Sequence, residues 1–170
     1  FGDGSRMTGS LKDGERDGPR EEYHDTGQLW WKGTYKDGER DGPYEFYHEN
    51  GQLEEKGTFK DGELDGPIEE YYDNGQLLER INYKNGKQDG LFESYHKNAQ
   101  LKEKGNYKDG KEDGFLEWFD HTGQPEGRVN KKNGKLHGLV ERVHENGQLS
   151  SRSNFIDGVQ DGLFELFHVN

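Results

Sequence analysis

Apolar side chains recur along this chain in columns spaced 24 residues apart, separated by polar positions and glycine turns. One column reads Tyr23, Tyr47, Tyr71, Tyr95, Phe119, Val143, Phe167. A second reads Leu29, Leu53, Leu77, Leu101, Pro125, Leu149, and a third reads Leu11, Tyr35, Phe59, Tyr83, Tyr107, Lys131, Phe155. Glycine keeps the same period, from Gly14 through Gly38 and Gly62 to Gly158, and from Gly18 through Gly42 and Gly66 to Gly162. No insertion breaks the spacing, which loops would not hold unless each unit stacked on the last.

Residues 42–62, GPYEFYHENGQLEEKGTFKDG, serve as the type unit. Two short runs rich in aromatic residues and Leu are separated by Asn50-Gly51 and closed by Asp61-Gly62. Such dipeptides between apolar runs signal hairpins, because Gly accepts the positive φ of the turn. The pattern predicts an all-β protein, an elongated twisted antiparallel meander of tandem 24-residue hairpin repeats. Residues 1–170 are expected to form one repeat domain of about seven units, with a degenerate first unit at 1–13 and a truncated last one at 163–170. The chain starts at Phe1 rather than Met and stops where earlier repeats continue into a turn, so a longer parent, with or without a removed secretion signal, is expected.

Parity assigns the faces. Leu53, Gly57 and Phe59 fall on one side of their strand, and glycine at 57, as at 9, 33 and 105, leaves room for a neighbouring ring. A three-residue turn sets Tyr47 opposite Leu53 and completes an apolar face, whereas a two-residue turn sets Glu45 opposite Lys56. Burying two apolar columns outweighs one exposed ion pair of about 0–1 kcal/mol, which favours the first. A fourth column, Tyr44, Ile68, Phe92, Leu116, Val140, Phe164, falls on the other face. Either a β-bulge near the Gly-Pro or Gly-Leu start brings it inward, or it is a solvent-facing docking stripe.

The recurring segments DGPYEFYHENGQLEEKGTFKDG and DGPIEEYYDNGQLLERINYKNG resemble the MORN-repeat variant family over nearly the whole chain. Bacterial members of that kind are similar to YwqK-type antitoxins, some of them immunity proteins beside secreted toxins. The resemblance therefore implies a protein that neutralises a toxin or effector by sequestering it. Eukaryotic MORN proteins imply the alternative, a scaffold or membrane-associated interaction module within a larger chain. Residues 121–143 depart most from the pattern, with Pro125, Gly127, Lys131 and His137 at consensus positions, a region either worn or specialised.

Composition and charge narrow the partners. The formal net charge is −12, of which residues 1–85 carry −10 and residues 86–170 carry −2. An acidic surface repels nucleic acid and anionic lipid and draws in basic proteins, although it also serves solubility alone. No nucleic acid or membrane partner is expected, and the oligomeric state stays open. The absence of cysteine removes disulfides and thiolate chemistry. Histidines at 24, 48, 96, 144 and 168 share a column, but repeats two strands apart hold them ~9–10 Å from each other, too far to share a zinc ion. The Asp-Gly segments start like calcium loops yet lack the bidentate Glu at the twelfth position. No cofactor or metal is expected.

The invariant column Glu21, Glu45, Glu69, Glu93, Glu117, Glu141, Glu165 is too uniform for acid–base catalysis, which needs carboxylates in different environments. Turn N–H groups or a tyrosine hydroxyl are its expected partners, and the Gln column and the basic column from Lys32 to Arg152 read as cross-strand ladders. With no nucleophile set or phosphate loop, an enzyme is not expected. Specific binding should lie where the copies differ: Trp30, Trp31, Phe46, Tyr72 and Trp118 stand where other repeats carry smaller or charged residues. Glu54, Glu55, Glu69 and Glu70 lie near them and give the patch affinity for a basic protein.

Overall fold

A computed structural model describes residues 6–169 of the chain. Residues 1–5 of the degenerate first unit and Asn170 of the last lie outside the described residues. The protein is all-β, with no helix among the described residues.

Two compact units divide the chain, Phe1–Lys87 and Gln88–Asn170. The first holds β1 (Arg6–Lys12), β2 (Glu15–Tyr23), β3 (Leu29–Lys36), β4 (Glu39–Arg40), β5 (Gly42–Tyr47), β6 (Leu53–Lys60), β7 (Glu63–Leu64), β8 (Gly66–Tyr71) and β9 (Leu77–Lys84). Beyond them follow β10 (Lys87–Tyr95), β11 (Leu101–Lys108), β12 (Lys111–Glu112), β13 (Gly114–Phe119), β14 (Pro125–Lys132), β15 (Lys135–Val143), β16 (Leu149–Ile156), β17 (Val159–Gln160) and β18 (Glu165–Leu166). Within each unit the strands pair antiparallel in chain order, so each is a meander.

Two turn types alternate. At Asp37-Gly38 both residues have positive φ, 48° and 86°, as a two-residue type I′ turn requires. At the other end Gly51 N–H donates to the His48 carbonyl and His48 N–H donates to the Gln52 carbonyl. This is a three-residue loop with Gly51 left-handed at φ 81°. Tyr47 accordingly stands opposite Leu53, but Phe46 pairs with Glu55 and Glu45 with Lys56. Glu54 is therefore an extra residue, a β-bulge one step from the turn. The two pairings that parity sets against each other coexist.

The bulge corrects the expected faces. Leu53 lies with Tyr47 on one face; Gly57 and Phe59 lie on the other, with Tyr44 and Phe46. The fourth column thus faces inward, with Tyr44, Ile68 and Phe92 buried and Phe164 exposed, and the bulge that matters follows the hairpin turn rather than sitting at the Gly-Pro start. A register offset does occur there too, but it spans two residues, since Tyr35 pairs with Arg40 and Trp31 with Phe46, and preserves parity. In the first unit Trp31, Tyr35, Tyr44 and Ile68 are buried, flanked by Phe46, Phe59, Leu64 and Tyr83. The rings meet edge-on or tilted, Tyr44 and Phe59 at 4.6 Å and Trp31 and Tyr35 at 5.8 Å between centroids. In the second unit Phe92 sits edge-on to Tyr107 at 5.7 Å.

Glycine makes this packing possible. A Cβ at Gly57 would fall 2.9 Å from Tyr44 Cε1 and collide with Ile68 Cδ1, and one at Gly33 would fall 2.5 Å from the Trp31 ring. Gly57→Ala is expected to cost about 1 kcal/mol, toward the low end of overpacking because the obstructing atoms are side-chain ends. A urea titration of the variant checks it, and an unchanged midpoint would refute the close approach.

Opposite this aromatic face lies a face of ion pairs. Across β2, β3, β5, β6, β8 and β9 the directly paired residues are Glu21, Lys32, Glu45, Lys56, Glu69 and Arg80, alternating in sign. Lys32 Nζ lies 2.7 Å from Glu45, Lys56 Nζ 2.7 Å from Glu69, and Arg80 2.7 Å from Glu69. The tyrosine column closes the ladder: Tyr71 donates its hydroxyl to Glu69 at 2.6 Å, Tyr47 does the same to Glu45, and Lys56 lies 5.6 Å from the Tyr71 ring centroid. Glu21, Glu45, Glu69 and Glu93 accept tyrosine hydroxyls, one of the partners the sequence implies, whereas Glu117 and Glu141, followed by Phe119 and Val143, are held by lysine or arginine.

The histidine column clips repeats together. Nε2 of His48, His96 and His144 donates to the backbone carbonyls of Tyr71, Phe119 and Phe167, at 2.9, 3.0 and 2.7 Å. Asn50 and Asn98 amides reach the carbonyls of Asp73 and His121 in the same way. These side chains donate to carbonyls at the strand ends and in the turns of the following repeat.

Candidate functional site

Behind the alternating ladder, one residue further along each strand and on the aromatic face, runs a row with no repeat consensus. In the first unit Glu22, Trp31, Phe46, Glu55, Glu70 and Glu79 are consecutive cross-strand partners. In the second unit the corresponding partners are Ser94, Glu103, Trp118, Gly127, Arg142, Ser151 and Leu166. The adjoining bulge column is equally varied: Trp30, Glu54, Leu78, Lys102, Glu126 and Ser150. A constant face thus carries a variable one.

A depression of about 390 Å³ opens in the first unit among Trp30, Phe46, Glu54, Glu55 and Glu70, with His48, Tyr71 and Leu78 completing its wall. Trp30 and Phe46 meet edge to face at 5.5 Å. Five of the nine residues singled out from the sequence are therefore together here. The other four are not. Trp31 is only 2 % exposed and is core; the adjacent Trp30 is 39 % exposed. Glu69 lies on the opposite face, occupied by Lys56, Tyr71 and Arg80. Tyr72 stands in the histidine column, where its backbone N–H closes the turn to the Gln76 carbonyl. Trp118 belongs to the second unit, in a depression of its own with Lys102, Glu103, Asp120 and Glu126.

Electrostatics separate the adjacent glutamates. Burial alone would push the Glu69 carboxyl up, but hydrogen bonds from Lys56, Tyr71 and Arg80 outweigh it and hold its pKa at about 2. Glu70 moves the other way, pushed up by burial and then by the carboxylates of Glu79, Glu55 and Glu54. Glu55 and Glu79 stand directly opposite it on the flanking strands, an arrangement of like charges that is destabilising. Glu55 accepts the Tyr44 hydroxyl at 2.6 Å. Glu70 has no basic partner among the described residues.

Three of the four departures in the stretch 121–143 have a neighbour that answers them. Gly127 makes room for the Trp118 ring, whose Cζ2 would lie 2.6 Å from a Cβ there. Lys131, in place of an aromatic residue, reaches Glu112 at 2.5 Å. His137, in place of Asp, sets Nδ1 3.3 Å from the Asp157 carboxylate.

A protein-family model described as MORN repeat variant matches residues 16–37, 40–61, 64–85, 88–109 and 136–157. No curated protein matches the chain. Among solved structures, the one titled "Crystal Structure of TarM" aligns at 12 % identity over 93 % of this chain and 21 % of that chain, with a TM-score of 0.23. This chain spans about a fifth of that protein's length, and a likeness so slight carries no argument.

Proposed function

Because the chain belongs to the MORN repeat variant family, a repeat-based binding scaffold, we propose that it acts by binding a protein partner and not by catalysis. The docking surface is made of the solvent-reaching members of the variable row and bulge column of the aromatic face, with Trp31 beneath them as core. The observation that carries this reading is the contrast between faces: an alternating ladder that recurs in every repeat on one side, and on the other side residues, aromatic and acidic in the first unit, that change from repeat to repeat. A solenoid of hairpins holds its register through the constant positions and is free to specialise the rest. The acidic balance of the first half and the Trp30–Phe46 pair fit a basic protein with an exposed docking segment. The specific form we favour is immunity, sequestration of a basic toxin or effector.

Capture with the chain as bait, followed by titration of the purified partner, tests the surface. Trp30→Ala is expected to weaken binding about tenfold or more, as central aromatic anchors do, while Glu45→Gln on the opposite face changes it less than about threefold. The reverse pattern would place docking on the wrong side. Immunity has its own readout. Co-expression with the captured partner should relieve growth arrest caused by that partner, and a partner harmless to growth would exclude the toxin form while leaving a scaffold.

A further inference from the structure

The variable row already shows how this fold treats a carboxylate on its aromatic face. Glu22 and Glu70 occupy equivalent positions in repeats 48 residues apart. At Glu22 the residue two places earlier is Arg20, whose Nε lies 2.8 Å from Glu22 Oε1 while its Cζ sits 5.8 Å from the centroid of the Tyr35 ring. One guanidinium thus neutralises a carboxylate and stacks near an aromatic ring. Arg40 shows the second half of that habit, its Cζ lying 5.2 Å from the Trp31 ring and 5.3 Å from Phe59. At Glu70 the residue two places earlier is Ile68, buried at 6 % exposure, so that position supplies no guanidinium. The rest of the arrangement is present: the carboxylates of Glu70, Glu55 and Glu54, and the edge-to-face Trp30 and Phe46 rings, all lining one open depression.

We propose that this depression is a socket for an arginine side chain of the protein partner, the guanidinium bonding Glu70 and lying against Trp30 and Phe46. The inference rests on the docking reading above and deepens it. Arginine fits better than lysine. Its planar fork can bond a carboxylate and stack on a ring at once, and its weaker hydration makes partial burial cheaper. Bringing a cation beside Glu54, Glu55 and Glu70 also relieves the contact between like charges that line the depression, so binding removes a destabilising contact in addition to making new ones. The raised pKa of Glu70 agrees with a carboxylate lacking a counter-ion.

N-acetyl-arginine amide, titrated into the full chain and followed by the indole N–H resonances of its tryptophans, tests the socket directly. Saturable binding in the millimolar range with a shift of the Trp30 signal is expected, weaker binding for N-acetyl-lysine amide, and none for the uncharged citrulline analogue. Glu70→Gln should weaken the arginine probe at least tenfold, and this variant should fold, since it removes repulsion. Glu49→Gln, in an exposed turn, should leave binding within about twofold of wild type. No saturable binding, or equal weakening by Glu49→Gln, would overturn the socket. A protein partner sensitive to Trp30→Ala but indifferent to Glu70→Gln would also overturn it while leaving the docking surface standing.

Discussion

Trp31→Ala is expected to destabilise the first unit by about 3–5 kcal/mol, the range for removing a large aromatic side chain from a packed core. Trp30→Ala, one residue away, is expected to cost less than about 1 kcal/mol. Trp31 lies over Gly33, edge-on to Tyr35 at 5.8 Å, 6.3 Å from Phe46 and beneath the Arg40 guanidinium. Its removal empties space that the sheet on which it sits cannot close, because backbone spacing is fixed by the ladder. Trp30 is the extra residue of its bulge, touching Phe46 and His24 at its rim. Urea unfolding of the two variants is the measurement. Since each hairpin is supported by its neighbours, amide exchange in the Trp31 variant should accelerate first across β2, β3 and β5. Equal losses for the two tryptophans would contradict the assignment of Trp31 to the core and Trp30 to the rim.

That pair of adjacent tryptophans shows what the sequence makes legible and where it stops. The repeat period, the two turns and the all-β class follow from glycine and Asx positions whose backbone demands are local, as at Asp37-Gly38 and Gly51. The choice of face does not. It depends on one extra residue after each hairpin turn, and that residue is Trp30, Glu54, Leu78, Lys102, Glu126 or Ser150, with neither glycine nor any shared chemistry to mark it. Counting by twos through an unmarked bulge puts Leu53 beside Phe59 when the two point to opposite faces. Departure from consensus alone likewise sets Trp30 beside Trp31 and Glu70 beside Glu69, although Trp31 is core and Glu69 belongs to the ladder. The candidate site was legible as a set of departures from consensus, because a repeat displays its constants. Its geometry came only with the register, which sorts those departures into core, ladder and open depression.

Glu69 and Glu70 also predict a pH dependence with two opposing parts. Glu69 has its folded pKa held at about 2, below the ordinary value of 4.5. Its contribution is complete above pH ~4.5 and is lost as pH falls toward 2. Hydrogen bonds to a charged group are worth ~1.5–3 kcal/mol each in favourable cases, and this carboxylate is partly exposed, so Glu69→Gln is expected to cost about 2 kcal/mol at neutral pH. Glu70 has its folded pKa raised, first by burial and then by Glu79, Glu55 and Glu54. The folded state therefore binds that proton more readily than the unfolded chain, and stability rises as pH falls from neutral through the raised value to about 4.5. Measured against wild type, Glu70→Gln should be more stable at pH 7, with its advantage shrinking as pH approaches 4.5. Glu69→Gln should be less stable at pH 7, with its deficit shrinking only below 4.5. Because many other carboxylates titrate in both states, these differences carry the information and the wild-type curve alone does not. Two variants of neighbouring residues whose difference curves bend in separate pH windows and with opposite sign would place one glutamate in the ladder and the other in the open row. Coincident curves would mean that the two carboxylates share an environment, which the alternating register forbids.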